Sequence, residues 1–165
     1  MKNDIWICDN WRSNGIILQH QRTGLRMRYE KAVHPDVKES FKVLVKWLRE
    51  RFFFPIHVPV YVKASDRIRS KDRELCVGTF FRPDSFQEEP YIRIATGDYE
   101  KLILKRGLLQ ARIAILLPLL HELTHYYQWV NSIQKSPIGE ERQAARYAHD
   151  LMEEFLDDLG LLDSL

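Results

Sequence analysis

The sequence predicts an α+β fold: one helix, a small sheet of three mostly antiparallel strands, then two long helices. Three observations predict it. Val37, Phe41, Leu44, Val45 and Leu48 recur at helical spacing. Ile56, Val58, Val60 and Val62 alternate with His57, Pro59, Tyr61 and Lys63, the period of a strand with one apolar face. From residue 108 the chain is helical in pattern and apolar on most sides, as a buried helix is. A chain of 165 residues fits a single domain, and 45% hydrophobic residues suffice for its core. The net charge of +2 favours no class of partner.

Residues 1–33 form an N-terminal arm. Residues 16–18 and 25–29 flank Arg22-Thr23-Gly24, which predicts a β-hairpin turning at Gly24, with Trp6 and Trp11 docked on the body. The arm is also a candidate regulatory or propeptide segment, able to bring Cys8 or His20 to a metal. Cys8 and Cys76 are expected to be reduced thiols of an intracellular protein. The start, MKNDIWICDNW, lacks the apolar stretch of a secretory signal, and the longest apolar run, 113–120, is too short for a bilayer. A cytoplasmic protein with no membrane partner is expected.

The main domain, 34–165, opens with a helix over about 34–51, entered through His34-Pro35-Asp36. A strand follows over 56–63, where Pro59 argues for an edge or a bulge. Residues 64–74 are a charged connector. Residues 75–81 are a second strand, with Gly78 a candidate bulge, and Tyr91–Ala95 a third. A short helix over Tyr99–Arg106 ends near Gly107. The next runs from 108 to about 133, with a kink or break expected at 114–118 because Pro118 removes a hydrogen bond. After the turn at 135–139, Ser136 is a candidate N-cap and Pro137 suits a first turn. The last helix covers about 140–159, with a buried stripe of Ala145, Ala148, Met152, Phe155 and Leu159.

The chemistry lies in His121-Glu122-Leu123-Thr124-His125, an HExxH. Histidines at i and i+4 lie one turn apart on one helix face, so both imidazoles can reach one tetrahedral Zn²⁺ per chain. Glu122, beside the first of them, can take a proton from water. A catalytic zinc needs a third protein ligand, for which Glu140, Glu141 and His149 are candidates. Glu141 continues the small-residue stripe, whereas Glu140 points about 100° away and His149 lies two turns further on; position favours Glu141. Tyr126, Tyr127, Tyr147 and His149 are candidate donors to a developing oxyanion, with Tyr147 and His149 foremost.

HExxH followed by Glu141-Arg142-Gln143-Ala144-Ala145-Arg146-Tyr147-Ala148 resembles the gluzincin pattern, closest to the minigluzincins and the IrrE/ImmA-type peptidases. The motifs cover 116–148, and the order of elements extends the likeness to about 34–159. The resemblance implies a zincin-like fold and a zinc metallopeptidase acting on a peptide or protein, with Glu141 as third ligand and Glu122 as general base. It also implies that Tyr91, Ile92, Arg93, Ile94 and Ala95 form the edge strand along which a substrate would lie. Many relatives carry Asp or Asn where Ala145 stands, supporting a metal-bound histidine, so that support must come from elsewhere. Gln143 replaces a second glutamate of the IrrE/ImmA-type run, and those relatives have a longer gap between motifs, which favours the minimal form. The alternative is a non-enzymatic or latent zinc module blocked by the arm or the C-terminal tail. A DNA-associated SprT-type protease uses a third histidine and a GHG-like sequence that is missing here, so no nucleic-acid partner is expected. Oligomeric state and substrate sequence are not legible.

Overall fold

The computed structural model describes residues 4–16, 18–161 and 163. Strand β1 (Leu25–Tyr29) leads into helix α1 (Pro35–Arg51) and strand β2 (Val58–Lys63). A two-stranded hairpin of β3 (Ile68–Arg69) and β4 (Leu75–Cys76) follows, then β5 (Gly78–Phe81) and β6 (Tyr91–Ala95). Helices α2 (Tyr99–Arg106), α3 (Leu108–Val130) and α4 (Pro137–Asp158) complete the α+β fold. Among the described residues, no helix is long and apolar enough to cross a membrane.

The main sheet has four strands in the order β1-β2-β6-β5 and is mixed, not mostly antiparallel. β1 pairs parallel with β2, and β2 with β6; only β5 runs antiparallel, against β6. The expected N-terminal hairpin is absent. Of its first strand, Leu18 lies in a 3-10 turn and Ile17 falls outside the described residues. Its second strand is β1, whose partner is 33 residues on, Leu25 against Val58. Parallel neighbours need a crossover, and α1 supplies it. The segment before residue 34 is thus part of the sheet and the core, where Ile5, Trp6 and Trp11 are buried.

The other strand corrections follow from this order. β2 is central, despite Pro59. Val58 and Val62 bond toward β1, while Lys63 bonds toward the end of β6. Pro59 therefore faces the β6 side, one residue before that ladder begins at Val60, and its missing N–H costs no bond there. The strand expected over 75–81 is split at Val77 into β4 and β5, and the charged connector supplies β3 as partner to β4.

Helix α1 starts where His34 Nδ1 accepts from the Asp36 N–H at 3.1 Å, and it buries the predicted stripe plus Trp47. Its apolar face meets the fully buried Val58, Val60, Val62, Ile92 and Ile94 in one core. Helix α3 is unbroken through Pro118. Residues on both sides of the proline, Ile115, Leu116, Leu119 and Leu120, are buried, and this packing outweighs one lost hydrogen bond. Gly107, at φ +83°, separates α2 from α3 in a conformation that other residues resist.

Helix α4 begins as expected, with Ser136 Oγ accepting from the Gly139 N–H at 3.1 Å and Pro137 in the first turn. Its buried face is Ala144, Tyr147, Ala148, Leu151, Met152, Phe155 and Leu156. Ala145 and Leu159 are exposed, which rotates the predicted stripe by one position. The N-terminal segment closes over the C-terminal half of α3. Trp6 Nε1 donates to Thr124 Oγ1 at 3.1 Å, and its ring packs on Phe52 and Tyr127. Asn14 Nδ2 donates to the Val130 carbonyl at 2.8 Å, satisfying one of the acceptors a helix end leaves open.

Candidate metal centre

His121 and His125 project from one face of α3, their ring centroids 4.9 Å apart. The turn at Ser136 returns the chain so that the first turns of α4 lie opposite them. Glu141 bridges both rings, with Oε2 3.1 Å from His121 Nε2 and Oε1 3.0 Å from His125 Nε2. One ligand atom from each of the three residues falls within 4.8 Å of the others, and this group could hold a metal ion. Glu140 instead pairs with Arg82 at 3.2 Å, and His149 is exposed further along α4.

The donor set suits a cation. Gln128 Nε2 donates to the Glu140 carbonyl at 3.0 Å and to Gln143 Oε1 at 2.9 Å. A carbonyl only accepts, so the Gln128 amide is oriented with Oε1 toward His125 Nδ1, 2.7 Å away. That oxygen accepts the Nδ1 proton, which leaves His125 Nε2, 3.0 Å from Glu141 Oε1, as the ring nitrogen facing the carboxylate. A proton or a metal ion between Nε2 and that oxygen would satisfy both. Burial, and then the nearby His125, hold His121 below its ordinary pKa against the opposing pull of Glu141. A neutral imidazole is the form that binds a metal.

Gln128 also answers the question raised at Ala145. Support for His125 comes from the same helix, three residues on, and not from position 145 of α4. The i, i+3 spacing from His125 was the available signal. If the group holds a metal ion, Gln128→Leu is expected to weaken its binding by about 10–100-fold, because such supporting groups tune metal affinity. Competition titration against a chelator measures this; unchanged affinity would show that the amide does not orient the ring.

Glu122 is 8% exposed and faces the sheet. A Cβ at position 78 would lie 2.9 Å from Glu122 Oε1 and 3.1 Å from its Cγ. Gly78 leaves the space that Glu122 fills and pairs in regular register with Ile94, so it is not a bulge: the glutamate rests on the backbone of β5. Burial, then the charge of Glu141, push the Glu122 carboxyl up to about 8; a bound cation nearby acts in the opposite direction.

These groups line a cavity of about 660 Å³ running between α3, the start of α4, β5 and the β3–β4 hairpin. A second lobe of about 570 Å³ shares His121 and Glu122 and is walled by apolar residues including Val77, Ile113, Leu117 and Pro118. His149 and Ala145 line this lobe. The other candidate oxyanion donors lie elsewhere. Tyr126 OH accepts from the Ile56 N–H and donates to its carbonyl, and Tyr127 OH donates to the Phe53 carbonyl. Tyr147 is buried under the N-terminal segment, its hydroxyl 3.4 Å from the Ile5 N–H, and does not line the cavity. Cys8 lines a separate pocket with Trp11, and His20 is exposed, so neither reaches the centre.

The strand expected at the sheet edge, Tyr91–Ala95, is interior, flanked by β2 and β5. The edge beside the centre is β5, because the residues at 78–81 fold back antiparallel on β6 and pair on one side only. Tyr91 and Arg93 still line the cavity, while Ile92, Ile94 and Ala95 are buried.

No family model matches the chain, and no curated protein or solved structure matches it significantly.

Proposed function

We propose that the chain is a zinc-dependent metallopeptidase of gluzincin type on a zincin-like fold. One observation carries this reading: two imidazoles and a carboxylate converge within 4.8 Å, with the Glu122 carboxyl beside them and an unpaired strand edge in the wall of the same cavity. His121, His125 and Glu141 would hold the ion. Zn²⁺, when bound, polarises a carbonyl and makes a water acidic near neutral pH.

The chain's own residues account for the rest. Glu122 Oε1, held against β5, takes a proton from the attacking water and returns it to the leaving amine. A substrate backbone adds to the free edge of β5, whose N–H and C=O groups on that side have no strand partner. His149, in the second lobe, is the candidate left to donate to the oxyanion. The arm's described residues do not line the cavity, so nothing in its position favours a blocked module.

The test is metal content and turnover together. The purified chain is expected to bind one zinc and to cleave a fluorogenic peptide mixture. His125→Ala is expected to lose zinc by more than the roughly 10–100-fold that a supporting group contributes. Full zinc occupancy of this variant by elemental analysis would refute the ligand set.

A further inference from the structure

The cavity is lined by Lys71, Arg82 and Arg93 as well as by the candidate ligands. Arg82 is committed to Glu140, and Lys71 Nζ sits 4.3 Å from the centre of the Phe81 ring. Arg93, on β6, has no acidic partner among the described residues, although Asp72 and Glu74 line the same cavity. Its Nη2 donates to the Arg69 carbonyl at 2.7 Å. Its Nε is buried without any hydrogen-bond partner. Directly across the ladder, Thr79 pairs in register with Arg93, and Thr79 Oγ1 is buried and unpartnered too. Unpartnered buried polar atoms on both side chains are costly in a folded chain. Both residues line the cavity that holds the metal centre.

Resting on the peptidase reading, we propose that Arg93, with Thr79 beside it, is the specificity-determining residue for a substrate carboxylate. The Nη1–Nη2 side of the planar guanidinium matches a carboxylate in two parallel hydrogen bonds, one Nη2 hydrogen staying on the Arg69 carbonyl. The location fits the docking mode. Along β5, Gly78 and Phe80 face α3, as their contacts with Glu122, Tyr126 and Trp129 show. Thr79 and its partner Arg93 face the other way. A peptide added to the edge of β5 presents alternate side chains to the two faces. Side chains on the Thr79 face meet Arg93, so one position of the substrate is read for negative charge.

The probe is a capped, fluorescent alanine-rich peptide, with Glu or Gln placed at each position in turn. A further pair ends in a free carboxylate or an amide. Binding to zinc-loaded Glu122→Gln protein is measured by anisotropy, separately from turnover by the unaltered enzyme. At one position Glu is expected to bind at least about tenfold tighter than Gln. That ratio should fall to about twofold or less in Arg93→Gln and recover partly in Arg93→Lys, which a merely structural role would not produce. An internal Glu carrying the ratio identifies a side chain as the ligand; the free terminus carrying it identifies a chain end. Equal binding of Glu and Gln peptides at every position, or a ratio that survives Arg93→Gln, overturns the proposal. Charge discrimination in binding without hydrolysis would retain Arg93 and reject the peptidase; hydrolysis without discrimination would do the reverse.

Discussion

Replacing Glu122 with Gln is expected to cut peptide hydrolysis by about 10²–10⁴-fold, the usual contribution of a general base, while zinc content stays at one per chain. The substitution keeps the shape of a side chain packed 8% exposed against the backbone of β5, so the fold and the ligands are undisturbed. What is lost is the ability to accept a proton, since an amide oxygen is too weak a base. Assay of the pure variant beside the unaltered enzyme, with metal measured in both, checks it. Cleavage within tenfold of the original would reject Glu122 as the base, whatever the metal result.

The second large effect lies far from the chemistry in sequence. Trp6→Ala is expected to destabilise the protein by about 3–5 kcal/mol, as loss of a buried tryptophan does. For a chain of this length that is a fall in Tm of roughly 6–20 °C. Trp6 is 2% exposed, packs edge-on against Phe52 and at a tilt against Tyr127, and is hydrogen-bonded to Thr124 inside the HExxH. Thr124 Oγ1 also donates to the Leu120 carbonyl, so it does not become an orphan, and the cost is chiefly the cavity. Urea and thermal unfolding measure the effect. A change below about 1 kcal/mol would mean that the segment packs loosely and can detach.

The centre was more legible in the sequence than the sheet around it. His121, Glu122 and His125 are readable because i and i+4 on a helix is a local relation. Glu141 is readable because Ser136 and Pro137 mark the start of α4 and the short turn sets its direction. Sheet order is not local. β1 reads as half of a hairpin because its partner lies beyond α1, and the resemblance puts the edge at 91–95 because nothing in those residues records that β5 pairs outside them. Gln128 was missed because support for the ligand was sought at Ala145, on the other helix.

The contact between Trp6 and Thr124 spans 118 positions of the chain. At about 5–20 residues per second of synthesis, the first turn of the protein waits roughly 6–24 s for the surface it will cover. Phe52 and Phe53 offer Trp6 and Trp11 a first contact earlier, but the surface of α3 that the segment covers is made later and its apolar C-terminal half is bare until the segment closes over it. The HExxH stretch is therefore covered only after it is made, and its histidines exist before the fold that shields them.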